Sequence, residues 1–249
     1  MDWRDEGVLL SLRRHGENAA IVECFTREHG RHAGIVRGGA SRKMAPLLQP
    51  GAQLTLEWRA RLAEHLGAYR VELDRSRAGA VLNDGDALAA LGSVVALLTA
   101  YFPEREAHSD LYSATVSLLD ALGANPGWPA AYVAWELALL SELGFPLDLG
   151  RCAATGVEDD LIWVSPKTGR AVSSEAGSPY KDRLLTLPAF LTGGEETPLG
   201  VWQGLRLTGY FLKNWVAPSV DTHAPPAARD RFEARMAKTA DKARMEETQ

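Results

Sequence analysis

Hydrophobic and polar positions divide the chain into two kinds of periodicity. From residue 7 to residue 80 the apolar residues come in short runs that suit strands. Gly7–Leu12 is rich in Val and Leu and ends in the polar turn Arg13-Arg14-His15-Gly16-Glu17. Ala20–Thr26 is a second β-rich run, closed by Glu28-His29-Gly30. His32–Arg37 is a third, followed by Gly38-Gly39-Ala40-Ser41-Arg42-Lys43, which reads as a flexible basic loop. Gln53–Arg59 alternates at period two, as a half-buried strand does, and Leu66–Leu73 supplies a fifth strand. Five short antiparallel strands in this length suit a small barrel, and the OB-fold has that strand count.

After residue 82 the period lengthens. Asn83-Asp84-Gly85-Asp86 is a turn and cap signal ahead of an Ala/Leu-rich helix, Ala87–Phe102, stopped by Pro103. Ser109 is placed to cap a second helix, Asp110–Leu122, with Gly123 at its end. Pro129 opens a third, which runs to Leu143 and stops at Gly144 with Pro146 beyond. Residues 150–185 are irregular, with two short strands, 161–165 and 171–173, around Pro166-Lys167-Thr168-Gly169. A last apolar helix spans about 199–216. The tail from Pro225, with six basic and three acidic residues between Arg229 and Arg244, reads as a solvated helix or a mobile arm. The fold class is therefore α+β. An OB-fold barrel at 1–80 precedes a helical domain at 81–249, which carries a β-hairpin insert at about 150–185.

At 249 residues, 46% hydrophobic and 24% charged, the composition is that of an ordinary globular chain and excludes pervasive disorder. No apolar run is long enough for a membrane span, and the acidic start Met1–Glu6 is no signal peptide. Two cysteines make neither a disulfide framework nor a four-cysteine zinc site, so a reducing cytoplasm is the expected location. The net charge of −5 is unevenly spread: +3 over residues 1–80, −10 over 81–165 and +2 over 166–249. A polyanion would have to use the ends.

Motifs for the common chemistries are missing. There is no phosphate-binding Gly-x4-Gly-Lys-Ser/Thr loop, no dinucleotide Gly-x-Gly-x-x-Gly, no Gly-x-Ser-x-Gly elbow and no His-Glu-x-x-His. The six histidines are scattered, nearly all in loops or on polar faces, and Cys24 reads as a small core residue. This favours a binding protein over an enzyme.

Three stretches together carry a resemblance. The first is Val8-Leu9-Leu10 with Arg13, Gly16-Glu17, Ile21-Val22, Phe25-Thr26-x-x-x-Gly30, Arg37-Gly38 and Leu48-Gln49-Pro50. The second is Trp135-Glu136-Leu137-x-Leu139-Leu140-x-x-Leu143-Gly144-Phe145-Pro146-x-Asp148, leading into Arg151-Cys152. The third is Val164-Ser165-Pro166-Lys167-Thr168-Gly169. In this order they cover most of residues 5–190, and the chain resembles the bacterial RecO family of DNA repair and recombination mediators. The resemblance implies a nonenzymatic bacterial protein, cytoplasmic and nucleoid-associated. Its implied partners are single-stranded DNA, the acidic C-terminal tail of single-stranded DNA-binding protein, and RecR, with double-stranded DNA left open. Its implied role is to anneal strands and help load the recombinase RecA. A generic OB-fold protein–protein adaptor is the competing reading.

Many members of that family carry a zinc ribbon. Its Cys-x-x-Cys pairs fall here on Cys152 with Thr155 and on Ser173 with Ala176, leaving one thiolate of four. No metal and no cofactor is expected, and the hairpin should persist through Trp163 and Val172. For DNA the candidate contacts are Arg13, Arg14, Arg37, Gly38, Arg42 and Lys43, with Gly38 and Gly39 letting backbone approach phosphate. Aromatics are sparse there: Trp3, Phe25 and Trp58 precede Tyr69, and Phe25 reads as core. Phosphate contacts should outweigh base stacking. For the partner tail, Trp135 and Leu139 share a helix face that is either core or pocket, with Arg151, Lys167, Arg170, Lys181 and Arg183 as candidate rim cations.

Overall fold

The computed structural model describes residues 1–246 as two compact units, Met1–Ala124 and Asn125 onward. The first unit is built on a closed five-stranded barrel: β1 (Asp2–His15), β2 (Ala19–Thr26), β3 (Gly30–Val36), β4 (Gln53–Arg59) and β5 (Ala68–Arg75), in the order β1-β2-β3-β5-β4. All pairings are antiparallel except β3 with β5, the arrangement of an OB-fold. β1 is long enough to serve two neighbours. Its first half pairs with β4 and its second half with β2, and a register shift between Leu9 and Ser11 bends it from one to the other. Closure leaves the barrel no open edge.

Alternation sets what lies inside. Leu9, Val22, Cys24, Val36, Leu54, Leu56, Trp58 and Tyr69 fill the interior with Leu48 and Ala52 from the β3–β4 connection. Phe25 is also fully buried. His32 corrects the expectation that histidines sit on polar surfaces: it is 3% exposed. Its Nδ1 lies 3.0 Å from the Tyr69 hydroxyl, and its ring meets Trp3 and Trp58 edge-on.

Helices α1 (Ala78–Val81), α2 (Gly85–Tyr101) and α3 (Ser109–Ala121) belong to the barrel's unit. The domain boundary is expected near residue 80, where strands give way to helices, and the compact units part after Ala124. Arg77, just past β5, explains part of this. It is 5% exposed, donates to the Gly51 carbonyl at 2.7 Å and to Asp120 of α3 at 2.7 Å. Gln53 adds a 2.5 Å bond to the Tyr112 hydroxyl. Asp84 caps α2 through the Asp86 and Ala87 amides at 2.9 and 3.0 Å. Ser109 does not cap α3. It is the first helical residue, and its hydroxyl donates to the Arg27 carbonyl at 3.0 Å.

In the second unit, α4 (Trp128–Glu142) packs on α6 (Pro198–Phe211) and α6 on α8 (Ala227–Glu246). α6 continues as a π-helical segment, Leu212–Val216, into the short α7 (Ala217–Ser219). The hairpin is present as β6 (Leu161–Val164) and β7 (Ala171–Ser173), with Trp163 opposite Val172. A two-residue strand that sequence did not indicate, β8 (Leu185–Thr186), completes the sheet, and α5 (Ser174–Gly177) follows β7. α8 is neither a mobile arm nor a solvated helix, because Arg229, Phe232, Met236 and Ala240 form a buried stripe.

Candidate nucleic-acid interface

The barrel's exposed cations come together through strand register. Arg13 pairs with Ile21, Ile21 with Ile35, Ile35 with Ala68 and Ala68 with Arg59. Residues in one such row share a face, so Arg13 and Arg59 stand on the outer surface with half-buried isoleucines between them. At the end of this row the β1–β2 turn and the β3–β4 connection are joined by the Ala40 amide donating to the Asn18 carbonyl at 3.2 Å. This brings Arg14 and Arg37 to one end of the barrel, with Arg42 and Lys43 on the connection itself. Arg13, Arg14, Arg37, Arg42 and Lys43 are all exposed.

The connection, expected as a flexible loop, is folded into turns. Successive turns are held by the Ser41 amide on the Gly38 carbonyl at 3.0 Å, Ala45 on Ser41 at 2.9 Å and Leu48 on Met44 at 3.1 Å. Leu48 anchors it in the barrel. The two glycines have different tasks. Gly38 has φ +71° and open space where a side chain would be. Gly39 lies against the barrel, where a Cβ would meet that of Ala20 at 2.9 Å. Gly38 leaves its backbone open on the side where a Cβ would stand. Gly39 is there for packing.

Sequence reasoning missed part of this surface. A groove of about 530 Å³ is lined by Val36, Arg37, Met44, Glu57, Arg59, Ala68, Tyr69, Arg70 and Val71. It sets three arginines against one glutamate. Arg70 makes only long contacts, 4.0 Å to Glu57 and 3.8 Å to Glu72, and its side chain is 74% exposed. Aromatic stacking is not available from the expected residues: Phe25 and Trp58 are buried, and Trp3 is stacked on His29 at 4.0 Å.

The proposed tail-binding face is corrected by burial. Trp135 and Leu139 are 3% and 0% exposed, so that face of α4 is core. Arg151 is exposed, and Arg170 pairs with Asp148 at 3.2 Å. Another groove in this unit, of about 650 Å³, has Leu184, Leu185, Leu207 and Tyr210 among its walls, with Arg206, Lys213, Asp230 and Glu233.

Two features speak to chemistry. Burial and, secondly, the Arg105 charge hold the His32 imidazole at about 4, so it is neutral at pH 7. Burial pushes the Cys24 thiol up and makes it inert. Around Cys152, burial raises the thiol pKa, but hydrogen bonds from Ser173 and Thr155 outweigh it and bring the group to about 6. The Ser173 amide and hydroxyl lie 3.3 and 3.5 Å from Sγ. Serine and threonine thus occupy the space around the single thiolate, and the described residues contain no group of three or more His, Cys, Asp or Glu able to hold a metal. This donor set does not fit a zinc-ribbon ion.

An OB-fold barrel with a cationic end, followed by a separate helical unit, defines the class. The chain belongs to the recombination protein O family, whose N-terminal domain profile matches residues 1–77 and whose C-terminal profile matches 82–222. It is similar to the DNA repair protein RecO of Dinoroseobacter shibae, 55% identical over 232 residues, covering 93% of this chain and 96% of the relative. The Cereibacter sphaeroides protein of that name is 57% identical over 233 residues, covering 93% and 97%. That of a Jannaschia species is 54% identical over 232 residues, covering 93% and 95%. No helix among the described residues is long and apolar enough to cross a membrane.

Proposed function

We propose that this protein is a DNA repair mediator that holds single-stranded DNA by its phosphates at the cationic end of the barrel. The observation that carries the reading is the gathering of Arg13, Arg14, Arg37, Arg42 and Lys43 around the Asn18–Ala40 contact, beside the groove with Arg59 and Arg70. Exposed guanidinium and ammonium groups without stacked aromatics favour backbone contact over base reading. Binding should therefore be sequence-tolerant and salt-sensitive. Strand annealing fits this chemistry, since base pairing supplies the free energy and the protein screens phosphate repulsion. No catalysis is part of the reading, nor a cofactor.

The remaining partners of the proposal are the acidic tail of single-stranded DNA-binding protein and RecR, with loading of RecA as the shared outcome, in a bacterial cytoplasm. With α4's face spent on core, the groove formed by Leu184, Leu185, Leu207 and Tyr210 with Arg206 and Lys213 is the better candidate for an acidic peptide ending in an apolar residue. Against a pure adaptor role stands the concentration of cations on the barrel of a net acidic chain.

The test is a salt series. Arg42→Ala with Lys43→Ala in the full chain should weaken oligonucleotide binding alike for all sequences. It should also lower the slope of log affinity against log salt by roughly 0.7 per lost contact on single strands. Wild-type affinity and slope in that variant would refute the assignment of these two residues.

A further inference from the structure

α8 lies beyond the stretch that the family's C-terminal profile covers, which ends at residue 222. It is nonetheless firmly seated. Arg229, 1% exposed, reaches Glu136 of α4, 0% exposed, with Nε–Oε1 and Nη2–Oε2 bonds of 3.0 Å each. The same guanidinium donates to the Leu205 carbonyl of α6 and to Glu233. The Tyr132 hydroxyl donates to Glu136 at 3.2 Å. A buried charge pair is a costly way to hold a helix, and here it fixes which side of α8 faces outward.

That outward side is sorted by charge. Arg231, Arg235, Lys238 and Lys242 fall at i, i+4, i+7 and i+11, and all are exposed. On a 3.6-residue turn they occupy about 60° of arc and about 16 Å of axis. Asp230, Glu233 and Asp241 stand on a different side of the helix. A helix that is merely solvated tends to alternate its charges as i, i+4 pairs of opposite sign. Among the described residues Lys242 makes such a pair with Glu246, at 3.8 Å with both ends largely exposed, and Arg235 also has a partner. No aromatic interrupts the stripe.

We infer that the Arg231–Arg235–Lys238–Lys242 stripe of α8 is a second single-strand-binding surface, taking a short run of phosphates along its length of about 16 Å. A single row of cations matches one backbone rather than two. The inference rests on the reading of the protein as a DNA-strand handler and adds a contact in a unit separate from the barrel. Two such surfaces would let one chain hold two strands.

The experiment uses the full chain and a fluorescent 30-nucleotide oligo-dT over a salt series. It compares wild type, the Arg42→Ala/Lys43→Ala variant and a variant with Arg231, Arg235, Lys238 and Lys242 all changed to Gln. The stripe variant should lose up to about 2.8 from the salt slope, at roughly 0.7 per contact. Should four changes unfold the protein by circular dichroism, Lys238→Gln/Lys242→Gln should still lose about 1.4. Wild-type slope and affinity in a folded stripe variant overturn the inference and leave the barrel reading intact. A reduced slope in the stripe variant alone keeps the inference and removes the barrel loop from the function. If wild type binds no oligonucleotide, both fall. If the stripe variant keeps DNA but loses an acidic peptide that wild type binds, the stripe serves a protein and the inference is wrong.

Discussion

The candidate interface and the anchor of α8 use arginine in opposite ways. On the barrel the arginines of the candidate interface stand outside, on strand ends and turns. In the helical unit Arg229 is drawn fully inside, against Glu136. The difference follows from where backbone hydrogen bonds go. Closing a barrel pairs every strand with two neighbours, so the backbone itself fixes the register and leaves side chains free to stay in water. A helix spends its backbone bonds internally. Nothing in α8's backbone tells it how to sit on α6 and α4, and its apolar stripe is thin: Phe232, Met236 and Ala240. The Arg229–Glu136 pair supplies the specificity that the sheet obtains from its ladder.

The sharpest way to break this comparison is to remove the buried partner. Arg229→Met leaves the Glu136 carboxylate inside without its countercharge and should cost about 3–5 kcal/mol. Burial works against the Arg229 charge, but Glu136 outweighs it and keeps the guanidinium more firmly protonated than in water. A rise in pH short of denaturation therefore gives no relief. Native-state hydrogen exchange should show protection lost in α8. The double variant Glu136→Leu/Arg229→Met should recover much of it, because no lone charge remains. Unchanged protection in Arg229→Met would mean that apolar contacts alone seat the helix.

The barrel has its own buried polar group, and its pH response has a definite sign. His32 titrates at about 4 in the folded state and near its ordinary 6.5 when unfolded. Between those values the unfolded chain binds a proton that the folded chain does not. This contribution to stability is present above about 6.5, falls as pH drops, and is fully lost below about 4. The total is about 3 kcal/mol, at roughly 1.4 kcal/mol per pH unit. Denaturant unfolding of wild type and His32→Gln at pH 7 and pH 4.5 isolates it. The stability gap between them should narrow by about 2–3 kcal/mol at the lower pH. A gap that does not change with pH would show that His32 titrates alike in the folded and unfolded chain, and a gap that widens at the lower pH that its imidazolium is favoured in the fold.

Much of the barrel was legible because strand periodicity is local. Gln53–Arg59 alternates and is β4 from end to end, and the other four strands differ from expectation mainly at their ends. What failed was non-local. Residues 38–43 read as a flexible loop because their order comes from Gly39 against Ala20 and from Leu48 in the barrel, neither visible in the local pattern. Arg59 and Arg70 were visible as outward strand positions. Only the parallel β3–β5 pairing puts them beside Arg37. α8 misled for a different reason. Its anchor is an arginine, which any hydrophobic pattern scores as solvent-facing. Trp135 and Leu139 failed because a shared helix face says which residues are together, not whether a neighbour such as α6 covers them.

The smallest expected effect completes the contrast. Arg42→Ala/Lys43→Ala removes two exposed cations, neither of which contributes an ion pair among the described residues. Exposed charges of this kind are worth within about 0.5 kcal/mol each. The thermal midpoint should therefore move by no more than a few degrees, while Arg229→Met moves it far more. The turns of the 38–48 segment should survive, because they rest on backbone bonds and on Ser41, whose hydroxyl accepts from the Met44 amide at 3.3 Å. The same variant that weakens oligonucleotide binding should thus be indistinguishable from wild type by circular dichroism. If it is instead destabilised by 2 kcal/mol or more, far beyond the ~0.5 kcal/mol usual for surface changes, these side chains hold the connection to the barrel. Any loss of DNA binding would then follow from a disordered segment rather than from missing phosphate contacts.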